Sequence, residues 1–142
     1  MTAPLIPPPA DDRVRQLTAA FERTTVLVAG DVMLDRFLVG NVTRISPEAP
    51  VPVVAFDHEM RRIGGAANVA HNISALGGRV RLIGVVGRDE SGESLTRSCR
   101  EAGIDAVLAI DPARPTTTKV RIVTERNQQV ARVDYELDSE VT

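Results

Sequence analysis

The chain has 142 residues, of which 43% are hydrophobic, 25% charged and only 3% aromatic, and its formal net charge is −2. This composition is typical of one soluble globular domain and excludes a collagen, a coiled coil or a fully disordered chain. The slight acidic excess argues against both nucleic acid and an anionic membrane as partners, because such binders usually carry a basic excess.

Single features of the sequence exclude further classes of protein. The one cysteine, Cys99, excludes a disulfide framework and a multi-cysteine metal site. No apolar run approaches the roughly 18 residues that span a bilayer. Residues 1–10 lack the basic and apolar regions of a signal peptide, and they contain four prolines. We therefore expect a disordered arm at 1–10, a folded part at 11–142 and a cytoplasmic protein.

Hydrophobic patterning predicts alternating strands and helices. In chain order, these are a helix at 12–23, strands at 25–29, 37–42 and 51–57, a helix at 66–76, a strand at 80–86, a helix at 91–102, and strands at 106–110, 117–124 and 129–135. The apolar run at 25–29 suits a strand covered on both faces, as in a parallel sheet, whereas the last two strands alternate like an antiparallel hairpin. The pattern predicts an α/β fold with two β-hairpin insertions.

The helix ends and faces are also predicted. Asp11 and Asp12 offer an N-cap to the first helix, and Gly77 and Gly78 end the second. The apolar residues of the second helix are expected on one face: Ala66, Val69, Ala70, Ile73 and Leu76. The corresponding face of the third helix is formed by Leu95, Cys99 and Ala102.

The stretch GRDESGES at 87–94 is a near miss to a phosphate-binding P-loop. Glu93 stands where that loop carries its lysine, and a carboxylate there would repel phosphate. No G-x-G-x-x-G follows any predicted strand, so a dinucleotide site has no support either. We interpret Gly87 and Gly92 as shaping a strand-to-helix turn, with Asp89 or Ser91 as the helix cap.

The stretch GGAAN, from Gly64 to Asn68, has two interpretations. Two glycines at a helix N-terminus let a ligand approach free backbone N–H groups, and Asn68 suits a sugar hydroxyl. Alternatively, the glycines make a tight turn and the alanines let the helix pack closely. The residues alone leave the two interpretations equal.

The stretch GDVMLDR at 30–36 follows the first strand, where ligands bind in open α/β sheets. The carboxylates of Asp31 and Asp35 could accept hydrogen bonds from vicinal hydroxyls, which favours a polyol ligand, although a surface loop with a capping Asp is the plain alternative. His58 and His71 lack a neighbouring His or Cys, so a metal site is not expected there.

The last hairpin is rich in basic residues: Lys119, Arg121, Arg126 and Arg132. Lys119 and Arg121 lie two residues apart, so they share one face of a strand. Such a face could hold a phosphate, and a solvated charged surface is the commoner explanation.

Four stretches together resemble a known family: GDVMLDR (30–36), RISPEAPVPVV (44–54), GGAANVA (64–70) and KVRIVTERNQQVARVDYE (119–136). They look like the heptose 7-phosphate kinases, a branch of the ribokinase-like (PfkB) sugar kinases. The resemblance implies the N-terminal half of an open α/β sheet flanked by helices, with a small β lid over the sugar. It also implies a homodimer that pairs through lid strands.

The resemblance assigns functional residues as well. Asp35, Gly64, Gly65 and Asn68 would bind the sugar, with Lys119 and Arg121 as further substrate-binding residues for its phosphate. The reaction would use ATP and Mg²⁺ to phosphorylate the anomeric hydroxyl of heptose 7-phosphate. The product, heptose 1,7-bisphosphate, is a precursor of the ADP-heptose of lipopolysaccharide core.

The sequence departs from the family in one respect. The family's second signature, G-A-G-D, carries the catalytic base and the anion hole, and it does not occur in this chain. We therefore expect no catalytic residue here, an ATP pocket outside this sequence and no kinase activity from the 142 residues alone. The alternatives are a kinase for another sugar and a non-catalytic module that binds sugar or dimerises.

Overall fold

A computed structural model of the chain describes residues 10–137, so all but the last residue of the arm expected at 1–10 lies outside the described residues. Seven strands form two sheets, and three helices accompany them, in the α/β order that the hydrophobic pattern predicts. The elements are α1 (Asp11–Phe21), β1 (Thr25–Ala29), β2 (Val32–Ile45), β3 (Pro52–Gly65), α2 (Ala66–Ala75), β4 (Arg79–Val86), α3 (Glu90–Glu101), β5 (Asp105–Ile110), β6 (Thr118–Thr124) and β7 (Gln129–Tyr135). None of the three helices is long and apolar enough to cross a bilayer.

The first sheet is parallel, in the order β1-β4-β5, and one of its faces is covered by α2 and α3. The aliphatic core lies between them and consists of Val32, Ala67, Ala70, Val80, Leu82, Val86, Leu95, Cys99 and Ile104. The Cys99 thiol is fully buried, and burial raises its pKa, so it is an inert core residue. On the opposite face, Leu27, Ile83 and Val107 are 62%, 44% and 55% exposed, and no element within 10–137 covers them.

The two predicted hairpins join in the second sheet, in the order β3-β2-β6-β7, where β2 and β6 run parallel. The strands predicted at 37–42 and 51–57 are much longer than the sequence indicates, with 14 residues each. Charged residues at the beginning of β2 and the end of β3 hide the strand pattern, but some of them pair across the strands. Arg36 donates two hydrogen bonds to Glu59, at 2.8 and 2.9 Å, and these lower the pKa of Glu59 to about 2, against the opposing effect of burial.

Two details of the helices differ from expectation. The N-cap of α1 is Ala10, while Asp11 and Asp12 occupy the first turn, where their charge favours the helix dipole. In α2 the fully buried residues are Ala67 and Ala70. Val69 and Leu76, predicted on the apolar face, are 50% and 64% exposed. The small residues at 67 and 70 let α2 pack closely against β4, so the side of the helix that carries them faces the core.

The stretch GRDESGES forms a structural turn, as interpreted from its sequence. Asp89 caps α3 by accepting the Gly92 N–H at 2.8 Å, and its other oxygen accepts the Thr116 N–H at 2.8 Å. The buried Thr116 hydroxyl in turn accepts the Gly87 N–H. Because these amides are already bonded, this turn does not offer the free N–H groups that a nucleotide phosphate needs. Asp89 instead ties α3 to the segment that enters β6.

We expect Asp89→Ala to lower the free energy of unfolding by about 2 kcal/mol, since it removes a helix cap and leaves the Thr116 N–H unpaired. Burial alone would raise the pKa of Asp89, but the hydrogen bonds from Thr116 and Gly92 outweigh it and lower the pKa. The contribution is therefore present above the ordinary pKa of about 4 and is lost as the pH falls through the lower folded value. Urea unfolding at neutral and strongly acidic pH measures both effects.

Asp57→Ala serves as the matched control, because the Asp57 carboxylate is 64% exposed and contacts only His58. It should change the unfolding free energy by less than about 0.5 kcal/mol. Equal losses in the two variants, or a loss at Asp89 that does not shrink in acid, would contradict the proposed role.

Candidate functional site

Three of the site residues predicted from the sequence, Asp35, Lys119 and Arg121, share one face of the second sheet, which we call the Asp35 face. Strand neighbours in register share a face. The register sets Arg62 of β3 and Lys119 of β6 directly beside Asp35 of β2. Two residues further along β2, Phe37 lies between Met60 and Arg121. Residues that are far apart in the chain are thus brought into one surface.

Asp35 lies within β2, not in a loop after the first strand as its motif suggested. Its carboxylate is 20% exposed, and its Oδ1 accepts a short hydrogen bond from Arg121, which reaches diagonally back along the sheet. The second oxygen, Oδ2, faces Gly64: a Cβ at that position would lie only 2.7 Å away. The absence of a side chain at Gly64 therefore keeps one oxygen of Asp35 accessible.

The aromatic ring of Phe37 is flanked by two guanidinium groups. The Cζ atoms of Arg62 and Arg121 lie 5.4 and 5.3 Å from the ring centroid, within the range of cation–π contacts. Neither Phe37 nor Arg62 was predicted as a site residue. The available signal was spacing: Phe37 and Arg62 each lie two residues from a site residue on the same strand, and therefore on the same face.

The basic residues of the last hairpin divide into two groups. Lys119, Arg121 and Arg132 lie on the Asp35 face, whereas Arg126 lies in the turn between β6 and β7. Lys119 Nζ is 3.6 Å from one carboxylate oxygen each of Asp134 and Glu136. Arg132 Nε is 2.9 Å from Asp134 Oδ1. The charge of this hairpin is thus largely compensated by its own carboxylates.

Gly64 and Gly65 end β3, and α2 begins directly after them. Gly65 has a φ of +57°, and a Cβ there would lie 2.3 Å from the Asp31 carbonyl oxygen. That carbonyl also accepts the Ala66 N–H at 2.8 Å. One of the first amides of α2 is therefore already bonded, which agrees with the tight-turn interpretation.

Asn68 faces a groove of about 590 Å³ between β3 and the helices. His71 and Asn72, one turn further along α2, line the same groove, as does Arg62. Asn68 and the Asp35 face are consequently connected through Arg62. Asp31 comes directly before β2. Its backbone carbonyl accepts the Ala66 N–H hydrogen bond that closes the glycine turn.

The possible metal ligands and the glycine turn at 87–94 are two further candidate sites. Across 10–137, no group of three His, Cys, Asp or Glu side chains converges as metal ligands. In the glycine turn at 87–94, the amides of Gly87 and Gly92 are bonded internally, and Glu93 stands where a P-loop carries its lysine. What the surface offers is a carboxylate with one accessible oxygen, a close backbone approach and flanking guanidinium groups, which together suit a polyol that carries an anionic group.

Comparisons with known sequences give matches over most of the chain. The family model described as pfkB family carbohydrate kinase matches residues 23–140. The chain is 54% identical over 127 residues to the bifunctional protein HldE of Caulobacter vibrioides, covering 89% of this chain and 26% of that protein. It is 55% identical over 114 residues to the D-beta-D-heptose 7-phosphate kinase of Bordetella bronchiseptica, covering 80% and 36%. The chain thus spans about a quarter to a third of these relatives.

Solved structures show the same architecture. A carbohydrate kinase from Agrobacterium tumefaciens matches with a TM-score of 0.65 and 28% identity, over 78% of this chain and 35% of that one. A fructokinase from Xylella fastidiosa with bound ATP matches with a TM-score of 0.59 and 25% identity, over 80% and 33%. The overlap again covers about one third of each neighbour.

Proposed function

Since the chain belongs to the pfkB family of carbohydrate kinases, we propose that it is the sugar-binding part of a kinase for D-glycero-D-manno-heptose 7-phosphate. The observation that carries this proposal is the carboxylate of Asp35, held by Arg121 and open toward Gly64. The substrate class is supported by the identity of 54–55% to HldE and to a heptose 7-phosphate kinase.

In this proposal Asp35 binds and orients the sugar. Its Oδ2 accepts hydrogen bonds from ring hydroxyls, while the hydrogen bond from Arg121 to Oδ1 fixes the direction of the carboxylate. Gly64 and Gly65 let the sugar approach the backbone, and Asn68 supplies one donor and one acceptor. Lys119 completes the wall of the site beside Asp35. Holding the substrate in one orientation is a large part of catalysis in phosphoryl transfer.

The nucleotide and the proton acceptor belong to other residues. Within residues 10–137 no three His, Cys, Asp or Glu side chains converge as metal ligands, and the G-A-G-D signature is absent from the sequence. We place ATP, Mg²⁺ and the catalytic base in the part of the relatives that this chain does not span. An ATP-bound structural neighbour supports ATP as the phosphate donor. The product would be heptose 1,7-bisphosphate, which feeds ADP-heptose and lipopolysaccharide core.

A homodimer is part of the same proposal. The second sheet has edge strands β3 and β7, with Phe56, Val133 and Tyr135 exposed by 64%, 45% and 54%. Pairing of these strands between two copies would cover apolar side chains and unpaired backbone groups. Light scattering of the full-length protein should give twice the chain mass, and a monomer would remove this element of the proposal.

The function is tested by sugar-dependent ATP consumption of the full-length protein with a panel of sugars and sugar phosphates. We expect heptose 7-phosphate to give a kcat/KM at least about tenfold above fructose 6-phosphate or ribose, a difference of about 1.4 kcal/mol in transition-state binding. A different preferred sugar would make the protein another pfkB kinase. Binding of sugar without ATP consumption would make it a non-catalytic module. The 142 residues alone should consume no ATP.

A further inference from the structure

The Asp35 face carries four basic side chains, and their charges are not equally available. Arg121 is paired with Asp35, Lys119 with Asp134 and Glu136, and Arg132 with Asp134. A phosphate that approached any of these three would meet a carboxylate already in contact with the cation. Each would therefore bind an anion weakly, because repulsion from the neighbouring carboxylate opposes the attraction.

Arg62 is different. Within residues 10–137 no carboxylate pairs with it, and its recorded side-chain contact is the cation–π contact with the ring of Phe37. This ring supports the guanidinium from one side without neutralising it or using its N–H donors. A guanidinium held in this manner keeps its full charge and its fork of donors for a planar or tetrahedral oxyanion.

The surroundings of Arg62 extend the sugar site. Its register partner on β2 is Asp35, so the two residues lie next to each other on the sheet. On its other side, Arg62 lines the groove of about 590 Å³ that it shares with Asn68, His71 and Asn72. These three side chains lie at i, i+3 and i+4 on α2 and offer further donors toward the same space. The groove is also lined by Glu101 and by Arg61, which is paired with Glu59 and Glu90. A sugar anchored at Asp35 therefore has a polar groove beside it in which, among the described residues, Arg62 is the unpaired guanidinium.

We infer that Arg62 binds the phosphate group that the sugar substrate already carries, in the groove formed with Asn68, His71 and Asn72. The inference deepens the proposed function and rests on it. It gives Arg62 the role of selecting phosphorylated over unphosphorylated sugar. In this assignment Arg121 mainly orients the carboxylate of Asp35, and Lys119 mainly pairs with Asp134 and Glu136.

The test compares Arg62→Gln with Arg132→Gln in the full-length protein. Both changes remove one positive charge from the same face, but Arg132 is already paired with Asp134. For heptose 7-phosphate, Arg62→Gln should raise KM by about 10- to 100-fold with kcat changed less than about threefold, the range expected for a charged hydrogen bond. Arg132→Gln should change KM by less than about threefold.

Unphosphorylated heptose separates a phosphate contact from a general defect. Arg62→Gln should leave its KM unchanged, so that the preference for the phosphorylated sugar is lost, and Arg62→Lys should restore part of that preference. Inorganic phosphate should compete with the sugar phosphate in the unaltered protein and not in Arg62→Gln. Circular dichroism and thermal unfolding of each variant establish that it is folded.

The outcomes separate this inference from the function on which it rests. Equal loss for both sugars, or equal loss in both variants, overturns the assignment of Arg62. Unchanged kinetics in Arg62→Gln overturns the assignment while the kinase function stands. Absence of any sugar-phosphate-dependent reaction in the unaltered full-length protein overturns both.

Discussion

Asp35→Asn is expected to lower kcat/KM of the full-length protein for its sugar by about 100-fold or more. The asparagine has one acceptor oxygen in place of two, and it has no charge. It therefore cannot both accept the hydrogen bond from Arg121 and offer a charged oxygen toward Gly64. The fold should change little, because Asp35 and Arg121 are each about one-fifth to one-quarter exposed and water can solvate the remaining guanidinium.

Steady-state kinetics together with thermal unfolding measures this prediction. Asp134→Asn is the matched control, since Asp134 is a carboxylate of the same face that pairs with Lys119 and Arg132 and not with Arg121. Its kcat/KM should fall less than about fivefold. If Asp35→Asn retained normal kinetics, Asp35 would have no role in the sugar site. If the two variants lost activity equally, the effect would belong to the charge of the whole sheet.

Gly65→Ala is expected to have the largest effect on stability, a loss of about 3 kcal/mol or more in the free energy of unfolding. Two causes act together. The backbone at Gly65 has a φ of +57°, which an L side chain adopts only at a cost. In addition, the new Cβ would lie 2.3 Å from the Asp31 carbonyl, whose hydrogen bond with Ala66 closes the turn. Backbone atoms cannot rotate away as a flexible side chain can.

Gly77→Ala separates these two causes. Gly77 has a φ of +84°, but the nearest atom to a Cβ there is the Glu22 Cγ at 3.8 Å. Gly77→Ala should therefore lower the free energy of unfolding only by the conformational cost of the positive φ, about 1 kcal/mol. Urea unfolding of both variants gives the comparison, and similar losses would show that the turn at Asp31 relaxes without difficulty. The sugar site should be weakened in Gly65→Ala and unchanged in Gly77→Ala.

Much of the fold was predictable because its signals are local. The apolar runs at 25–29, 80–86 and 106–110 became the three strands of the parallel sheet, and the glycines at 77 and 78 ended α2 as expected. The ends of β2 and β3 were missed, since charged side chains there look like loop residues. Hydrogen bonds from Arg36 to Glu59 join β2 and β3 in that region. A local sequence pattern cannot detect a partner 23 residues away.

The candidate site was predictable in part. The four matching stretches identified the family. The structure places Gly64 against the Asp35 carboxylate, whereas Asn68 lies on α2 and lines the groove with Arg62. The sequence alone could not show whether the basic residues of the last hairpin are available to bind a phosphate. Their pairing with carboxylates depends on the register of β6 with β7. Arg62 was missed altogether. Its spacing of two residues from Gly64 was the available signal, but the sequence does not show that the neighbouring Arg61 is paired with Glu59 and Glu90 while Arg62, within residues 10–137, is not.

The sequence alone determined the class of fold, the order of its elements and the sugar-kinase family, because these depend on periodicity and on contiguous motifs. Only the tertiary structure decided which charges remain available. Arg121 reaches Asp35 across 86 residues of chain, and Lys119 is paired with β7, whereas Arg62 is left facing a groove beside α2. The physical reason is that an electrostatic interaction depends on distance in space, and strand register sets that distance independently of separation along the chain.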